Sequence, residues 1–345
     1  MKKYFLILLA SCLAFNSCDM LDDFLADYMD SINTDGENNE DGDVENEENR
    51  ELPILEFQSE EEVMSTIKEI YAGMSSYLEA QKAVETMLLI DKNFEMINSR
   101  NNEIEKMWKT GYYTINLGNT CWRSLEKNPD ALGWETTQKY IGMCSAVIGF
   151  LYKNMVDHWG TVPFLHLDST LEDRLPRPSE EEMMICISER LEIAYYTLEQ
   201  GGFISVDLLS PQAMLIANAE TKANTPEAAL SFLEKFWHIN GAEDIIFTSI
   251  CPDSQEQIII YTTEYAEMLR SELLYKMGRI AEAKYDYNEL INIWGNSNYG
   301  YWALLKRLGR FTEIVGCPEY MQYLPIPYSE MERNENMLQN PGYIN

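Results

Sequence analysis

Hydrophobic residues recur at helical spacing over most of the chain from residue 52 onward. One stripe, with steps of three and four, consists of Val63, Ile67, Ile70 and Met74, within the segment Glu60–Ser76. The same spacing predicts further helices at Met107–Leu125, Tyr140–Val156, Glu181–Leu198, Gln212–Ala219, Pro226–His238, Tyr265–Met277 and Arg279–Trp294. Strand patterns are short and fall at Ile245–Phe247 and Ile258–Thr262, which are extended or join a small sheet. The pattern therefore predicts a fold dominated by α-helices.

Two pairs of the predicted helices are separated by brief turns. In the first pair Pro226 begins the second helix, a position where its missing N–H has no cost. In the second pair Gly278 forms the turn, and we expect it to be the tight point of a hairpin whose partners are Leu274 and Ala283. The small and large residues here resemble those of a tetratricopeptide hairpin, a unit that stacks because one pair alone cannot bury its apolar face. We therefore predict irregular tetratricopeptide-like helical hairpins with long loops, in one domain over residues 52–345.

Residues 1–17 have the features of an export signal. Lys2 and Lys3 form a basic start, and Tyr4–Phe15 is an apolar run too short to cross a bilayer. A cysteine directly after such a run is typical of a bacterial lipoprotein, in which that cysteine is acylated. We assign this role to Cys18, because cleavage before Cys12 would leave too short an apolar region. An ordinary cleaved secretory signal without lipid is the alternative.

Charge is unevenly distributed along the chain. The formal net charge is −31, and residues 19–51 hold fourteen acidic residues against Arg50 alone, a net charge of −13. Residues 52–345 carry the remaining −20. This balance excludes a nucleic-acid partner, because such binding depends on Lys and Arg neutralising phosphates.

Residues 18–51 are predicted to be a disordered, extended tether, because they have few apolar residues to offset the entropy of ordering and their charges repel. A partial calcium-loop pattern lies within them and consists of Glu37, Asn39, Asp41, Gly42, Val44 and Glu48. The first position should be Asp and no amphipathic helix flanks the loop. A solvated tether is therefore favoured over a metal site.

No catalytic pattern is found in the sequence. It has no HExxH, GxSxG or phosphate-binding loop, and His158, His166 and His238 lack ligand spacing. Among the cysteines after residue 18 no CxxC occurs, and Cys144 and Cys186 on helix faces are predicted to be core residues. We therefore expect a protein that is not an enzyme and has no cofactor and no metal ion.

The end of the chain carries an unusual run. It reads Leu324-Pro325-Ile326-Pro327, followed by Glu330, Asn334 and Gln339-Asn340-Pro341-Gly342-Tyr343. This run resembles the closing signature of SusD/RagB-type nutrient-uptake lipoproteins of Bacteroidetes outer membranes. Further matches follow in the same order: Cys18-Asp19, Trp108-Tyr112-Ile115-Asn119 in an early helix, and Trp159-Gly160-Thr161-Val162-Pro163 at a helix end. The resemblance covers nearly the whole chain from residue 18.

The sequence also departs from the family pattern. An Arg-Ala pair usual before Trp159 is replaced by Ile148-Gly149, and an Asp expected near Leu191 is Arg190. The chain is shorter than typical members. Because irregular insertions build much of the ligand site in this family, the shortening affects the predicted site more than the scaffold.

The resemblance implies a surface-exposed, lipid-anchored protein of the outer membrane. Such a protein captures an oligosaccharide or other nutrient and passes it to a SusC-like TonB-dependent β-barrel transporter. A helical-repeat adaptor that binds another protein at the cell surface is the alternative.

Sugar binding needs flat aromatic faces beside hydrogen-bonding groups. We place candidate ligand-binding residues at Asn98, Arg100 and Asn101, in a polar run where similar proteins hold ligand contacts. Trp134, in a predicted loop, is a further candidate. The tryptophans on predicted helices are expected in the core: Trp108, Trp237 and Trp294.

Overall fold

Consecutive helices pack side by side along most of the described chain. The computed structural model describes residues 52–90, 95–129, 132–200, 209–222, 225–237, 245–250, 257–286, 288–289, 292, 305–306 and 322–343. The predictions for the signal, Cys18, the tether, His238 and Trp294 lie outside these residues. The elements are α1 (Glu60–Ile90), α2 (Asn102–Lys127), α3 (Trp134–Trp159), α4 (Glu180–Gln200), α5 (Pro211–Thr221), α6 (Pro226–Phe236), β1 (Ile245–Ile250), β2 (Gln257–Thr262), α7 (Thr263–Lys276) and α8 (Tyr328–Arg333).

Helix α3 forms the centre of the array. It contacts α1, α2, α4 and α5, and each of α1–α6 packs against the next helix in sequence. Its large side chains Tyr140, Phe150, Tyr152 and Trp159 are almost fully buried. The predicted all-α-dominated fold of stacked helices is therefore confirmed, and the apolar periodicity around residues 140–156 reflects burial on several sides of one helix.

The departures from the family pattern meet where α3 packs on α4. A Cβ added at Gly149 would lie 2.9 Å from the Leu191 side chain and 3.1 Å from Arg190 Cβ, so only glycine allows this close approach. The Arg190 guanidinium lies 4.6 Å from the centre of the Trp122 ring, a cation–π contact. The replaced residues therefore form a packing arrangement of their own.

The two short strands pair as an antiparallel hairpin. Thr248 lies opposite Ile259 and Ser249 opposite Ile258, with an irregularity near Phe247. The Phe247 and Tyr261 rings stand edge-on to Phe150 of α3 at centroid distances of 5.8 and 6.1 Å. These aromatic contacts fix the hairpin on the helical array.

Helix α7 ends at a glycine turn, but not for the predicted reason. Gly278 has a φ of 72°, and an added Cβ there would meet no atom within 4 Å. The Arg279 N–H donates to the Leu274 carbonyl at 2.9 Å and the Gly278 N–H to the Tyr275 carbonyl at 3.0 Å, which is the Schellman motif. The prediction of a tight contact between Gly278 and the side chains of Leu274 and Ala283 is therefore wrong. The position requires glycine because its backbone is left-handed.

The predicted helix Arg279–Trp294 is also wrong at its start. A single 3₁₀ turn, Ile280–Glu282, follows Gly278, and Ala283 is extended with φ −73° and ψ 135°. The Ser271 hydroxyl accepts the N–H groups of Lys284 and Tyr285. In an α-helix these N–H groups would donate to backbone carbonyls of the helix itself. The Asp286 side chain then accepts the N–H of Glu289, whose carboxylate accepts the Asp286 N–H. This reciprocal pair of hydrogen bonds is the pattern of a capping box.

Candidate functional site

The C-terminal segment, residues 322–343, lies over the end of α3. The Trp159 indole donates to the Pro325 carbonyl at 3.0 Å, and the Leu324 N–H donates to the His158 carbonyl at 2.7 Å. Leu324 and Ile326 are fully buried, which adds an apolar anchor to these hydrogen bonds. The segment that carries the family resemblance is thus joined to the motif at the end of α3.

Arg177 holds this junction together. Its guanidinium donates to the backbone carbonyls of Thr161 at 2.5 Å, Trp159 at 2.9 Å and Leu338 at 3.3 Å, and to Asn340 Oδ1 at 3.0 Å. Of its five N–H groups these contacts use four. No carboxylate of the described residues forms an ion pair with it. Burial lowers the pKa of Arg177, while the neighbouring tyrosines oppose this shift.

Side-chain amides of the signature complete the junction. Asn340 donates through Nδ2 to the carbonyls of Trp159 and Leu324 at 2.9 and 2.7 Å. Gln339 accepts the Ile326 N–H at 2.7 Å and donates to its carbonyl at 3.1 Å. The buried Asn334 donates to the Leu175 carbonyl, in the loop between α3 and α4, at 2.9 Å. The backbone groups bonded by these amides lie in irregular segments, where no helix or sheet provides hydrogen-bond partners. The side-chain amides provide these partners instead.

A pocket of about 420 Å³ opens beside this junction. Besides Arg177 and Asn340, it is lined by Val156, Thr161, Glu180, Gln322, Tyr323 and Pro341. Gly160 shapes its wall: φ is 74°, and an added Cβ would lie 3.4 Å from Arg177 Nη2 and 3.5 Å from Tyr323 Cζ. Burial, followed by the negative charges of Glu180 and Asp157, raises the pKa of Tyr323, which keeps its hydroxyl protonated.

The predicted ligand residues Asn98 and Asn101 are engaged with the backbone of their own loop. Asn101 is the N-cap of α2: its Oδ1 accepts the N–H groups of Glu103 and Ile104 at 2.9 and 3.1 Å, and its Nδ2 donates to the Met96 carbonyl at 2.8 Å. Asn98 Oδ1 accepts the Arg100 N–H at 3.0 Å. Both amides therefore shape the loop, and the capping signal of Asn101 was readable from the sequence.

Arg100 is exposed and contacts the C-terminal segment that carries the signature. Its guanidinium is 4.5 Å from the centre of the Tyr328 ring, and the Tyr328 N–H donates to the Ser99 carbonyl at 2.8 Å. Tyr328 was missed by the sequence reasoning, although it directly follows the Pro327 of the signature. The exposed Arg100 and the half-buried Tyr328 together form a cation–aromatic pair.

Trp134 lies far from this pair. It is the first residue of α3 rather than part of a loop, and its side chain is 43% exposed. Arg100 precedes α2, whereas Trp134 follows the end of α2, and the 26 residues of this helix extend about 39 Å. The four predicted ligand residues therefore do not form a single site.

Of the remaining tryptophan and cysteine predictions, some are confirmed and one is wrong. Trp108 is 3% exposed, which confirms it as a core residue, whereas Trp237 is 37% exposed because α6 ends at Phe236. Cys144 is fully buried as predicted, and Cys186 is half-buried against the core. The helical periodicity therefore predicted a core position for Trp237, whereas its side chain is exposed.

The described residues contain neither a membrane-spanning helix nor a metal-binding cluster. No described helix combines the length and apolar character required to span a bilayer. Within the same ranges, no group of three or more His, Cys, Asp or Glu side chains is arranged to hold a metal ion.

Comparison with known proteins identifies the fold. A SusD superfamily protein from Bacteroides vulgatus superposes with a TM-score of 0.69 at 11% identity, covering 84% of this chain and all of the other. NanU of B. fragilis gives 0.65 at 12% identity, with 84% and 97% covered, and surface glycan-binding protein A from Bacteroides uniformis gives 0.59 at 11%, with 82% and 99% covered. No family model and no curated protein matches the sequence. The chain therefore has the SusD fold, which confirms the resemblance at the level of architecture.

Proposed function

We propose that this protein captures a saccharide nutrient at the cell surface without chemical conversion. The observation that carries the proposal is the shared fold, because the chain covers nearly the full length of structures that include a surface glycan-binding protein. Exposed aromatic side chains support capture over a purely protein-binding adaptor; among the described residues they include Tyr113, Trp134, Tyr196 and Trp237. Such faces stack on the C–H faces of sugar rings.

The second part of the proposal is delivery to a transporter. A lipid on Cys18 would anchor the chain in the outer membrane, and the acidic residues 19–51 would space the body from it. The partner would be a SusC-like TonB-dependent β-barrel, which accepts the bound nutrient. The change Cys18→Ala should block processing or release the protein from membranes, and mass spectrometry should find the lipid on Cys18. An unmodified N-terminus, or lipid on Cys12, would contradict the anchor.

Arg100 is the strongest of the predicted contact residues. Its side chain is exposed beside the Tyr328 ring, and Asn98 and Asn101 fix the loop that presents it. Trp134 would contribute only to a ligand long enough to reach the other end of α2, or to a separate site.

A glycan array probed with the full chain in detergent tests the function. At least one oligosaccharide should bind, and binding should depend little on salt, because stacking and neutral hydrogen bonds are weakly screened. Arg100→Ala should weaken binding, whereas Arg174→Ala, which removes an equally charged exposed side chain, should not. An array without binding, together with co-purification of the barrel partner, would contradict capture and favour the adaptor.

A further inference from the structure

We infer that the pocket beside Arg177 binds one neutral, polyhydroxylated ring of the captured saccharide. The inference rests on the proposed function and names a subsite that the predicted ligand residues do not include. The pocket lies where the end of α3 meets the C-terminal segment, and its volume of about 420 Å³ falls in the range of small-molecule sites, roughly 300–1,000 Å³.

The charges of the pocket favour a neutral ligand. Its lining contains one cation, Arg177, and one carboxylate, Glu180, which compensate each other. Residues 52–345 carry −20 around them, so an anionic ring would meet a repulsive field on approach. A cationic ring would lie next to the guanidinium. A neutral ring avoids both costs.

The hydrogen-bonding groups of the pocket suit hydroxyls. Arg177 keeps one N–H on Nη2, and the side chains of Tyr323, Thr161, Gln322 and Glu180 form no hydrogen bond within the described chain. The set contains donors, acceptors and groups that do both. A sugar hydroxyl also donates and accepts, so successive hydroxyls of one ring can be matched.

The pocket is also built in advance. Four hydrogen bonds fix the Arg177 guanidinium, and Gly160 supplies the left-handed backbone beside it. Val156 and Pro341 supply apolar wall for the C–H groups of a ring. Because little side-chain freedom remains to be lost around Arg177, binding would require little ordering of the protein there.

Exchange of a single carboxylate tests the inference. Methyl glycosides of glucose, galactose, mannose and xylose, and glucuronate as the anionic counterpart, are titrated into the full chain in detergent by saturation-transfer NMR. We expect a neutral glycoside to bind and glucuronate not to bind. Glu180→Gln should weaken the neutral glycoside about 3- to 10-fold and make glucuronate binding detectable, since the pocket becomes positive. The control Glu181→Gln, one residue along the same exposed helical turn, should change neither.

A second variant distinguishes the contribution of the Tyr323 hydroxyl from that of the Tyr323 ring. Tyr323→Phe should weaken the neutral glycoside by a similar factor while the far-UV circular dichroism and melting temperature stay as in the wild type. Glycoside binding that is unchanged in both Glu180→Gln and Tyr323→Phe would overturn the inference, as would absence of glycoside binding to a chain that binds oligosaccharides on the array. In either case the proposed function would stand, because it requires array binding and not this pocket.

Discussion

Asn340→Ala should destabilise the fold by removing the amide that joins the C-terminal segment to α3. Asn340 is 4% exposed, and it makes three hydrogen bonds: Nδ2 to the Trp159 and Leu324 carbonyls and Oδ1 from Arg177. Each such bond contributes about 1 kcal/mol net to stability. The consequences for the three partners differ, which sets the size of the effect.

Two of the partners keep another hydrogen bond. The Trp159 carbonyl still accepts from Arg177 Nη2, and Arg177 Nη1 still donates to the Leu338 carbonyl. The buried Leu324 carbonyl has no second partner among the described residues, and an orphaned buried group costs about 1–3 kcal/mol. We therefore expect a decrease in the free energy of unfolding of about 3 kcal/mol.

Urea unfolding of the full chain, followed by circular dichroism, measures this decrease, and Asn336→Ala is its matched control. Asn336 is also an asparagine of the signature and donates to the Arg174 carbonyl at 2.7 Å, but both residues are exposed, so water replaces the lost bond. Its effect should stay within about 0.5 kcal/mol. Equal effects of the two substitutions would refute the reasoning that the buried amide of the junction contributes more to stability than an exposed amide of the same segment.

Three further predictions concern the turns and one carboxylate. Gly278→Ala should lower the free energy of unfolding by about 1–2 kcal/mol, measured by urea unfolding, because φ is 72° although the space is open. Asp286→Ala should cost about 1 kcal/mol by the same assay and Asp286→Asn much less, since Asn still caps; equal losses would contradict the capping box. Hydrogen bonds from Lys109 and then Ser329 lower the pKa of Glu105, so its contribution is present above the ordinary carboxyl pKa and is lost as pH falls through the lowered value. Glu105→Gln should therefore flatten the acid side of the stability profile, measured by unfolding between about pH 3 and pH 6.

The long helices could be predicted from the sequence because their periodicity reflects burial. The stripe from Val63 to Met74 is almost fully buried, and the central helix α3 was found with boundaries a few residues short. The glycine turn after α7 was predicted, but the non-helical segment that follows it, residues 279–285, was not. There, the Ser271 hydroxyl and the Asp286 capping box override a helical pattern, and only the capping box has a signature in the sequence.

The candidate site was less predictable than the fold. Asn98 and Asn101 have the residue type of a sugar-binding site, but the same chemistry suits a turn and a helix cap, and the structure uses it there. Arg177 is far in sequence from the adjacent Gln322 and Tyr323, and the pocket exists only because the C-terminal segment returns to the end of α3. Helical periodicity carries no information about such a return.

The signature residues explain why a resemblance can predict the fold without the ligand. The polar groups of Asn334, Gln339 and Asn340 are directed to backbone groups of the protein and to Arg177, so these residues hold the junction together. Other polar side chains of the pocket, including those of Gln322 and Tyr323, lie outside the C-terminal signature. A change at these positions would alter the polar lining of the pocket while every hydrogen bond of the junction remained. Chains with the same signature can therefore share this architecture and still present different polar groups in this pocket.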